Sequence, residues 1–287
     1  MKASIRGTEI YFDVDGMGLV PDGDRMRERP VVFLLHGGPG GEHSSFKSTV
    51  AQLRDVAQLV YVDHRGSGRS DSADPQTYTL DENVADLDAL REHLGLKRIS
   101  VLGSSYGGMV AQGYAIQHPE RVSNLILVAT APSYRFLADA RQIVEERGTV
   151  EQQRVCLALW EGSFESLEQL REYYQVMGPM YATTFDAEKA DQSWRRGRRS
   201  FEQLNLGFSS FLREFDYIDE LHRISCPTLV LAGAHDWICP PVHSRLIASR
   251  IPRAQLKIFD KSAHSIAQDE PEAFLAAVRG FLTYAPS

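Results

Sequence analysis

The sequence has little cysteine, no long hydrophobic run and no excess of positive charge, and each absence argues against a class of protein. Its 287 residues include three cysteines, Cys156, Cys226 and Cys239, which are far apart and form no C-x-x-C pair. This pattern is not that of a disulfide framework or a zinc site. Small apolar core residues in a reducing compartment are expected instead.

Membranes and nucleic acids are disfavoured as partners. No stretch approaches the ~20 consecutive apolar residues that a membrane-spanning helix needs. Residues Met1–Arg6 contain no apolar stretch long enough for a signal peptide. The formal net charge is −7, whereas a nucleic-acid partner calls for a basic surface. These features predict a soluble, cytoplasmic protein.

A dense basic cluster, Arg195–Arg199, has an arginine at every position except Gly197. Such a cluster can bind phosphate or nucleic acid, or it can form the solvated face of a helix. We favour the solvated face, because the chain is acidic overall and no alternation of basic and aromatic residues continues beyond the cluster.

What the sequence does contain is an alternation of strand and helix patterns. Apolar runs typical of buried strands lie at Val31–Leu35, Leu59–Val62, Ile99–Leu102, Leu125–Val128, Thr228–Leu231 and, more weakly, Gln255–Phe259. Helical patterns lie at Leu80–Leu94, Met109–His118, Val242–Arg250 and Glu272–Leu282. Ile5–Val14 predicts a hairpin and Gly16–Arg29 a loop. The alternation predicts an α/β fold with a mostly parallel sheet covered by helices on both faces.

Residues 132–212 interrupt this alternation. They contain helix-like, aromatic-rich sequence and no convincing strand, and they are too long for a loop. We therefore expect a helical cap domain at 132–212, inserted into a core domain formed by residues 1–131 and 213–287.

The stretch Gly103–Gly107, written GSSYG, matches G-x-S-x-G with Ser105 at its centre, between a strand and a helix. Glycines suit this turn because Cβ atoms two positions either side of the serine would collide with neighbouring backbone. The turn lifts the hydroxyl above the carboxyl ends of the strands, where sites form in open α/β sheets. The pattern alone is also found in ordinary glycine-rich turns.

Two backbone N–H groups are candidates for an oxyanion hole, which acyl transfer at a serine requires. One belongs to Tyr106, directly after the serine. The other belongs to Gly38, in the loop His36–Gly41 that follows a buried strand. A flexible turn or a phosphate loop is the alternative for this loop, and no Gly-Lys-Ser/Thr follows to support the latter.

An acid and a histidine follow in the required chain order, serine, acid, histidine. Asp236 comes after the strand that begins at Thr228, and His264 comes after the last strand. His264 would take the serine proton while Asp236 fixes its tautomer. The rival residues without this strand-end context are Asp260, Asp269, His43, His118, His222, His235 and His243. His36 is expected to be a structural hydrogen-bonding residue.

Together these motifs resemble the α/β-hydrolase family and, more narrowly, the proline iminopeptidase group. The residues that carry the resemblance are His36–Gly40 (HGGPG), Asp63–Ser70 (DHRGSGRS), the turn around Ser105, Gly233–Asp236 and His264. The resemblance covers nearly the whole chain. It implies an α/β-hydrolase fold with an inserted helical cap and no metal or organic cofactor.

The chain departs from the group where substrate binding is concerned. Proline iminopeptidases usually hold the substrate's amino group with glutamates, one directly after the triad aspartate and one from the cap. Here those positions are Trp237 and, by a gapless count, Asn205. An ammonium in a partly dry pocket needs a compensating partner. Glu202, one turn earlier, or a cation–π contact with Trp237 would supply it.

The resulting prediction is a proline-iminopeptidase-like serine hydrolase that cleaves a small amide, peptide or ester bond through an acyl-enzyme. A carboxylesterase or lactonase acting on neutral apolar acyl groups is the first alternative. A non-hydrolytic ligand-binding protein or lyase is the second, because fold does not determine function. The expected partner is a small-molecule or short-peptide substrate.

Overall fold

The computed structural model describes residues 1–284, which form ten strands and eleven α-helices. The strands are β1 Lys2–Ile5, β2 Thr8–Asp15, β3 Leu19–Asp22, β4 Arg25–Glu28, β5 Val31–Leu35, β6 Gln58–Val62, β7 Ile99–Ser104, β8 Val122–Val128, β9 Thr228–Gly233 and β10 Ala254–Phe259. The helices are α1 Ser44–Lys47, α2 Leu80–His93, α3 Tyr106–Gln117, α4 Phe136–Arg147, α5 Val150–Glu161, α6 Leu167–Tyr181, α7 Ala187–Arg196, α8 Phe201–Ser209, α9 Pro241–Arg250, α10 Ile266–Asp269 and α11 Pro271–Tyr284. Within residues 1–284, no helix combines the length and the hydrophobicity that spanning a bilayer requires.

Eight strands form one sheet in the order β1-β2-β6-β5-β7-β8-β9-β10. The pairings of β1 with β2 and of β2 with β6 are antiparallel, and all the others are parallel. Parallel neighbours need crossover connections, which helices usually supply. The predicted α/β fold with a mostly parallel sheet is confirmed.

Each face of the sheet is buried under helices, as the continuous apolar strand runs predict. In β5, Phe33 and Leu35 pack in the core layer that contains α2 and α3. Val32 and Leu34 pack in the opposite layer, against residues of α1, α10 and α11. Successive side chains of a strand point to opposite faces, so a strand covered on both sides is apolar at every position. Burial of each such side chain contributes roughly 1.5–3 kcal/mol.

The region predicted as a loop at Gly16–Arg29 contains a small separate hairpin, β3 paired antiparallel with β4. Every residue of this hairpin strand pair is exposed except Val20. A strand pair with almost no buried face carries no alternating apolar pattern, and the sequence therefore lacked the usual strand signal.

Residues 132–212, the inserted segment, contain α4 to α8 and lie between β8 and β9. The two ends of this region meet, because Tyr134 N–H donates to the Phe215 carbonyl at 2.8 Å and Tyr217 N–H to the Pro132 carbonyl at 2.9 Å. Side-chain oxygens accept backbone N–H groups at the start of α5, α6, α7 and α8, which offsets the unpaired donors there. These N-caps are Thr149, Ser166, Asp186 and Ser200.

Candidate active site

Ser105 lies at the turn between β7 and α3, with φ of +55° and ψ of −120°. A positive φ strains a residue with a Cβ atom, and such strain persists only where the surroundings hold it. Here the Ser105 N–H donates to the Val128 carbonyl at 2.9 Å. The Thr130 hydroxyl donates to the Ser105 carbonyl at 2.7 Å. The next strand along the sheet therefore fastens the turn.

The two glycines of the motif leave room for this turn. A Cβ on Gly103 would lie 2.2 Å from the carbonyl oxygen of Gly107. A Cβ on Gly107 would lie 2.1 Å from the carbonyl oxygen of Leu35. Both contacts would be with backbone atoms, so no side-chain rotation could relieve them. These are the backbone collisions that the G-x-S-x-G pattern predicts for any residue larger than glycine at either position.

His264 and Asp236 are paired at the carboxyl ends of β9 and β10. His264 Nδ1 lies 2.8 Å from Asp236 Oδ2. Asp236 Oδ1 accepts the N–H groups of Ile238 and Cys239, each at 3.0 Å. Both carboxylate oxygens are thus engaged, which fixes the orientation of the buried carboxylate. Since Nδ1 faces the carboxylate, Nε2 is the ring nitrogen left for other chemistry.

The loop that carries His264 is held by the end of α6. Ser265 N–H donates to the Tyr181 carbonyl at 2.8 Å. The ring of Tyr181 also meets the imidazole of His264 edge-on, with the centroids 5.6 Å apart. Asp269 Oδ2 accepts from Ala263 N–H at 2.9 Å and from Thr183 N–H at 3.1 Å. The inserted segment therefore helps to position the loop of the predicted base.

The backbone N–H groups of Gly38 and Tyr106 donate to no acceptor within residues 1–284. Tyr106 is the first residue of α3, at the positive end of the helix dipole. The loop of Gly38 passes close to the serine, since a Cβ on Gly37 would lie 3.2 Å from the Ser105 Cβ. The Tyr106 phenol is buried elsewhere and accepts from Asn83 Nδ2 at 2.8 Å. Burial raises the pKa of this phenol above its usual range.

His36 occupies the structural position that the sequence predicted. Its Nδ1 lies 2.8 Å from the Gly37 carbonyl oxygen, and its Nε2 accepts the His64 N–H at 3.1 Å. Burial lowers the pKa of His36, which favours the neutral ring that can both donate and accept. The imidazole thereby ties the glycine loop to the segment after β6.

A buried polar network lies behind the same loop and comprises Asp63, Glu42 and His43. One carboxylate oxygen or imidazole nitrogen from each residue lies within 4.8 Å of the others. Asp63 Oδ1 accepts from the backbone N–H and from Nδ1 of His43, both at 2.8 Å. Burial raises the pKa of Asp63, but the hydrogen bond from His43 and nearby histidines outweigh it, so the pKa is lowered. Arg69 Nη1 lies 3.0 Å from Glu42 Oε2. The Arg69 guanidinium therefore supplies a positive charge next to the Glu42 carboxylate.

A cavity of about 890 Å³ lies between the core and the inserted segment. Ser105, His264 and Gly38 all line it. Its apolar lining includes Met109, Phe136, Leu159, Leu170, Leu204, Phe208, Leu212 and Ile238, with the aromatic side chains of Tyr174, Tyr181 and Trp194. Such an apolar space with a few polar groups is typical of a small-molecule site.

The sequence predicted three substrate-binding residues, Trp237, Asn205 and Glu202. They do not come together at this cavity, and none of the three lines it. Trp237 is 1% exposed and packs between Trp160 and Tyr181, with ring centroids 6.0 and 5.3 Å away. The Asn205 amide bonds both the N–H and the carbonyl of Phe164, at 2.9 and 2.7 Å.

Glu202 is exposed on the first turn of α8, where its carboxylate accepts from the Ser200 hydroxyl at 2.9 Å. The residue of this turn that points inward is Gln203, which the sequence reasoning missed. Its Oε1 accepts from Ser67 Oγ at 2.6 Å and its Nε2 donates to the Arg65 carbonyl at 3.0 Å. Gln203 therefore joins the inserted segment to the DHRGSGRS loop, and no local pattern marks it.

The basic cluster is divided by the packing of α7. Arg195 pairs with Asp191, with Nε 2.8 Å from Oδ2, as a solvated helix face would. Arg196 and Arg199 line the cavity together with Lys189. Arg196 is exposed, as the interpretation of a solvated face predicts, whereas Arg199 is half-buried and departs from it.

The family model for the alpha/beta hydrolase fold matches residues 30–271 of the chain. The chain is 35% identical over 261 residues to the proline iminopeptidase PfmaB of Pestalotiopsis fici, covering 89% of this chain and 92% of that protein. It is 28% identical over 294 residues to the proline iminopeptidase of Lactobacillus helveticus, covering 98% and 96%.

Solved structures share the fold over nearly the full length. The proline iminopeptidase of Mycobacterium smegmatis matches with a TM-score of 0.78 and 22% identity, covering 99% of this chain and 97% of that one. An esterase from Exiguobacterium antarcticum matches with a TM-score of 0.76 and 23% identity, covering 97% of each. A proline iminopeptidase and an esterase thus share the architecture of this chain. At these sequence identities the comparison shows the fold alone.

Proposed function

The chain belongs to the α/β-hydrolase family and is a proline-iminopeptidase-like hydrolase, and on this premise we propose that it cleaves its substrate through an acyl-enzyme on Ser105. The Ser105 hydroxyl attacks the carbonyl carbon while His264 Nε2 takes its proton. Asp236 holds the imidazole in the required tautomer and stabilises the imidazolium. His264 then protonates the leaving amine or alcohol. Water repeats the cycle on the acyl-enzyme and releases the acid.

In this proposal the N–H groups of Gly38 and Tyr106 stabilise the oxyanion of the tetrahedral intermediates. Both groups lack an acceptor within residues 1–284 and so need not break an existing bond. Preorganised donors of this kind cost no reorganisation when the charge develops, and each is worth about 3–4 kcal/mol in comparable sites.

The observation that carries the proposal is the 2.8 Å contact between His264 Nδ1 and Asp236 Oδ2, made by a histidine that lines the same cavity as Ser105. A histidine whose Nδ1–H is held by a carboxylate presents Nε2 as a base. A strained serine at the start of a helix is the matching nucleophile.

We also propose that residues 132–212 act as a cap domain on the core domain of residues 1–131 and 213–287. Supporting this, α5 to α8 supply much of the cavity lining, including Leu159, Tyr174 and Phe208. A cap of this kind keeps water from the acyl-enzyme and strengthens electrostatic interactions inside the site.

Two substrate types fit the proposal. The curated relatives are named proline iminopeptidases, so a small amide or short peptide with a free amino group is the first. An ester or lactone is the second, and a specific observation favours it: Glu202 faces away from the cavity, Asn205 is engaged by Phe164, and position 237 is tryptophan. A substrate without an ammonium group needs none of the missing glutamates.

The test is steady-state hydrolysis of prolyl 4-nitroanilide and of 4-nitrophenyl hexanoate by the wild type and by Ser105→Ala. We expect Ser105→Ala to lower turnover at least about a thousandfold, the scale of triad loss. Ser249→Ala, at an exposed position of α9 that does not line the cavity, is the control and should stay within about threefold of wild type, as for a substitution outside the machinery.

Near-full activity of a folded Ser105→Ala would refute the acyl-enzyme assignment. Serine-dependent cleavage of the anilide would identify an aminopeptidase, whereas cleavage of the ester alone would identify an esterase. Because activated esters are easily hydrolysed, the anilide rate decides between the two substrate types.

A further inference from the structure

One face of α7 lies over the cavity. Its cavity-lining positions include Lys189, Gln192, Ser193 and Arg196. Their spacing of three, four and seven residues places them on one side of a helix. No residue of α7 is buried: Ala190 and Trp194 are half-buried at the cavity, whereas Lys189 and Arg196 are exposed at its wall. The helix therefore covers the cavity with both apolar and basic side chains.

The basic residues that reach the cavity are without strong ionic partners. Within residues 1–284, no carboxylate lies within 4.0 Å of the Arg196 or Arg199 guanidinium. Lys189 has one distant partner, Asp186, at 3.8 Å. On the outer side of the same helix, by contrast, Arg195 pairs with Asp191. The basic side chains at the cavity wall are therefore without a close carboxylate, with Lys189 and Arg196 exposed and Arg199 half-buried.

Arg199 is held in place although it has no ionic partner. Its guanidinium carbon lies 4.6 Å from the centroid of the Trp194 ring, and its Nη1 donates to the Trp194 carbonyl at 3.2 Å. Stacking on an aromatic ring orders an arginine and leaves its remaining N–H donors free for a planar anion. The guanidinium is thus oriented before any ligand arrives.

The carboxylates that line the cavity are already engaged. Glu42 Oε2 accepts from Arg69 at 3.0 Å and from Ser44 N–H at 3.1 Å. Asp186 Oδ1 caps α7 by accepting two N–H groups, those of Glu188 and Lys189, each at 3.0 Å. An incoming ammonium would have to compete with these bonds, whereas an incoming anion would meet free donors.

We propose that the substrate of this enzyme carries a carboxylate that binds under α7, between Arg196 and Arg199, with Lys189 at the edge of the subsite. Arginine matches a carboxylate with two parallel N–H···O bonds, which gives orientation as well as affinity. The rest of the acyl or leaving group lies along the apolar lining, and the reacting carbonyl lies at Ser105. This inference rests on the proposed function, because it assigns the substrate class of the same site.

The test compares three 4-nitrophenyl esters with six-carbon acyl chains. These are the anionic hemiadipate, the neutral hexanoate and the cationic 6-aminohexanoate. The hemiadipate chain is long enough to limit attack of the carboxylate on its own ester, and uncatalysed rates are subtracted. Hydrolysis adds water across the C–O bond and gives 4-nitrophenol and the acid in each case. We expect kcat/KM for the hemiadipate to exceed that for the hexanoate by about tenfold, as for a charge-assisted contact.

A second pair of esters locates the carboxylate. The butyrate ester of 4-hydroxybenzoate carries it on the leaving group, and the butyrate ester of methyl 4-hydroxybenzoate is its neutral match. A preference in this pair alone places the carboxylate in the leaving group, and a preference in the first set alone places it in the acyl group. Either result supports the subsite.

The variants are Arg196→Gln and Arg199→Gln, with Arg195→Gln as the matched control from the outer face of α7. We expect the anionic-to-neutral ratio of kcat/KM to fall about fivefold to tenfold in the first two. It should stay within about twofold of wild type in the control, as for an exposed pair. Arg196→Lys should restore part of the ratio, and higher ionic strength should reduce it.

The proposal is overturned if the wild type shows no anionic preference in either set, prefers the 6-aminohexanoate, or keeps its ratio in both arginine variants. Its failure is distinguishable from failure of the proposed function. Ser105-dependent hydrolysis of the hexanoate without anionic preference removes this inference alone. Hydrolysis of the hexanoate that survives Ser105→Ala removes the proposed function itself.

Discussion

Besides His43, which bonds Asp63 behind the glycine loop, two histidines within residues 1–284 lie against aspartates, and their surroundings separate their roles. His264 contacts the fully buried Asp236 and lines the cavity. His243, on α9, lies with Nε2 2.9 Å from Asp139 Oδ2, and it is not among the described residues that line the cavity. Burial lowers the pKa of His243. A neutral histidine packed on the side of the core is a structural contact between α9 and α4.

At the residue scale we expect His264→Ala to lower kcat/KM at least about a thousandfold, because the proposed nucleophile, Ser105, would lose its proposed base. His243→Ala should keep the rate within about threefold and instead lower the melting temperature, because it removes a buried side chain. Ester hydrolysis and thermal unfolding of both variants check this. If His243→Ala were the crippled enzyme and His264→Ala the active one, the assignment of the base would be wrong.

Among the elements, the contact between the end of α6 and the loop after β10 joins the inserted segment to the site. Asp269 is central to it. One carboxylate oxygen accepts from Thr184 N–H at 3.0 Å and from the Thr184 hydroxyl at 2.7 Å. The other accepts from Thr183 N–H and from Ala263 N–H, next to His264. The inserted segment is therefore bonded to the loop whose histidine is proposed as the base.

We expect Asp269→Asn to lower the rate about threefold to tenfold and stability by about 1–2 kcal/mol, because an amide NH₂ would face two N–H donors. The measurements are ester hydrolysis well below the melting temperature, and thermal unfolding. Asp260→Asn is the control, since Asp260 is an exposed residue of the same loop. A folded Asp269→Asn with wild-type turnover would show that this contact does not position His264.

On the scale of the whole molecule, buried histidines link stability to pH. His36 and His64 are buried beneath the glycine loop. Burial lowers the pKa of both, and for His64 the neighbouring His36 adds to the effect. In the unfolded chain each histidine takes up a proton near pH 6.5. Between that pH and the lower folded-state pKa, the unfolded state binds more protons, so stability falls as the pH falls.

We therefore expect the free energy of unfolding to decrease from about pH 7 to about pH 5, by up to ~1.4 kcal/mol per pH unit for each fully neutral histidine. Asp63, with its lowered pKa, stabilises the fold above its unfolded pKa near 4, so its share is lost only at still lower pH. His64→Gln should flatten the dependence measured by denaturant unfolding. The exposed His222→Gln should not, and an equal slope in wild type and His64→Gln would contradict the explanation.

Much of the fold could be predicted from the sequence, because its signals are local. A strand covered on both faces must be apolar at every position, as in Val31–Leu35. The turn around Ser105 requires small flanking residues whatever the rest of the chain does. The hairpin β3–β4 escaped prediction because it buries only one side chain.

Short-range sterics specify the serine turn and the alternation of strand and helix specifies the parallel sheet, so both could be predicted from the sequence. The chain order of the candidate serine, acid and histidine could be read directly. Tertiary structure alone decided which side chains reach the cavity. Counting along the chain indicated Asn205 and Glu202, yet the packing of α7 and α8 turned those residues away and brought Arg196 and Arg199 to the cavity lining. In α7, Ala190 and Trp194 mark the side that lies against the cavity. A long arginine side chain suits both solvent and a cavity wall, so only the place of the helix over the cavity determines which arginines line it.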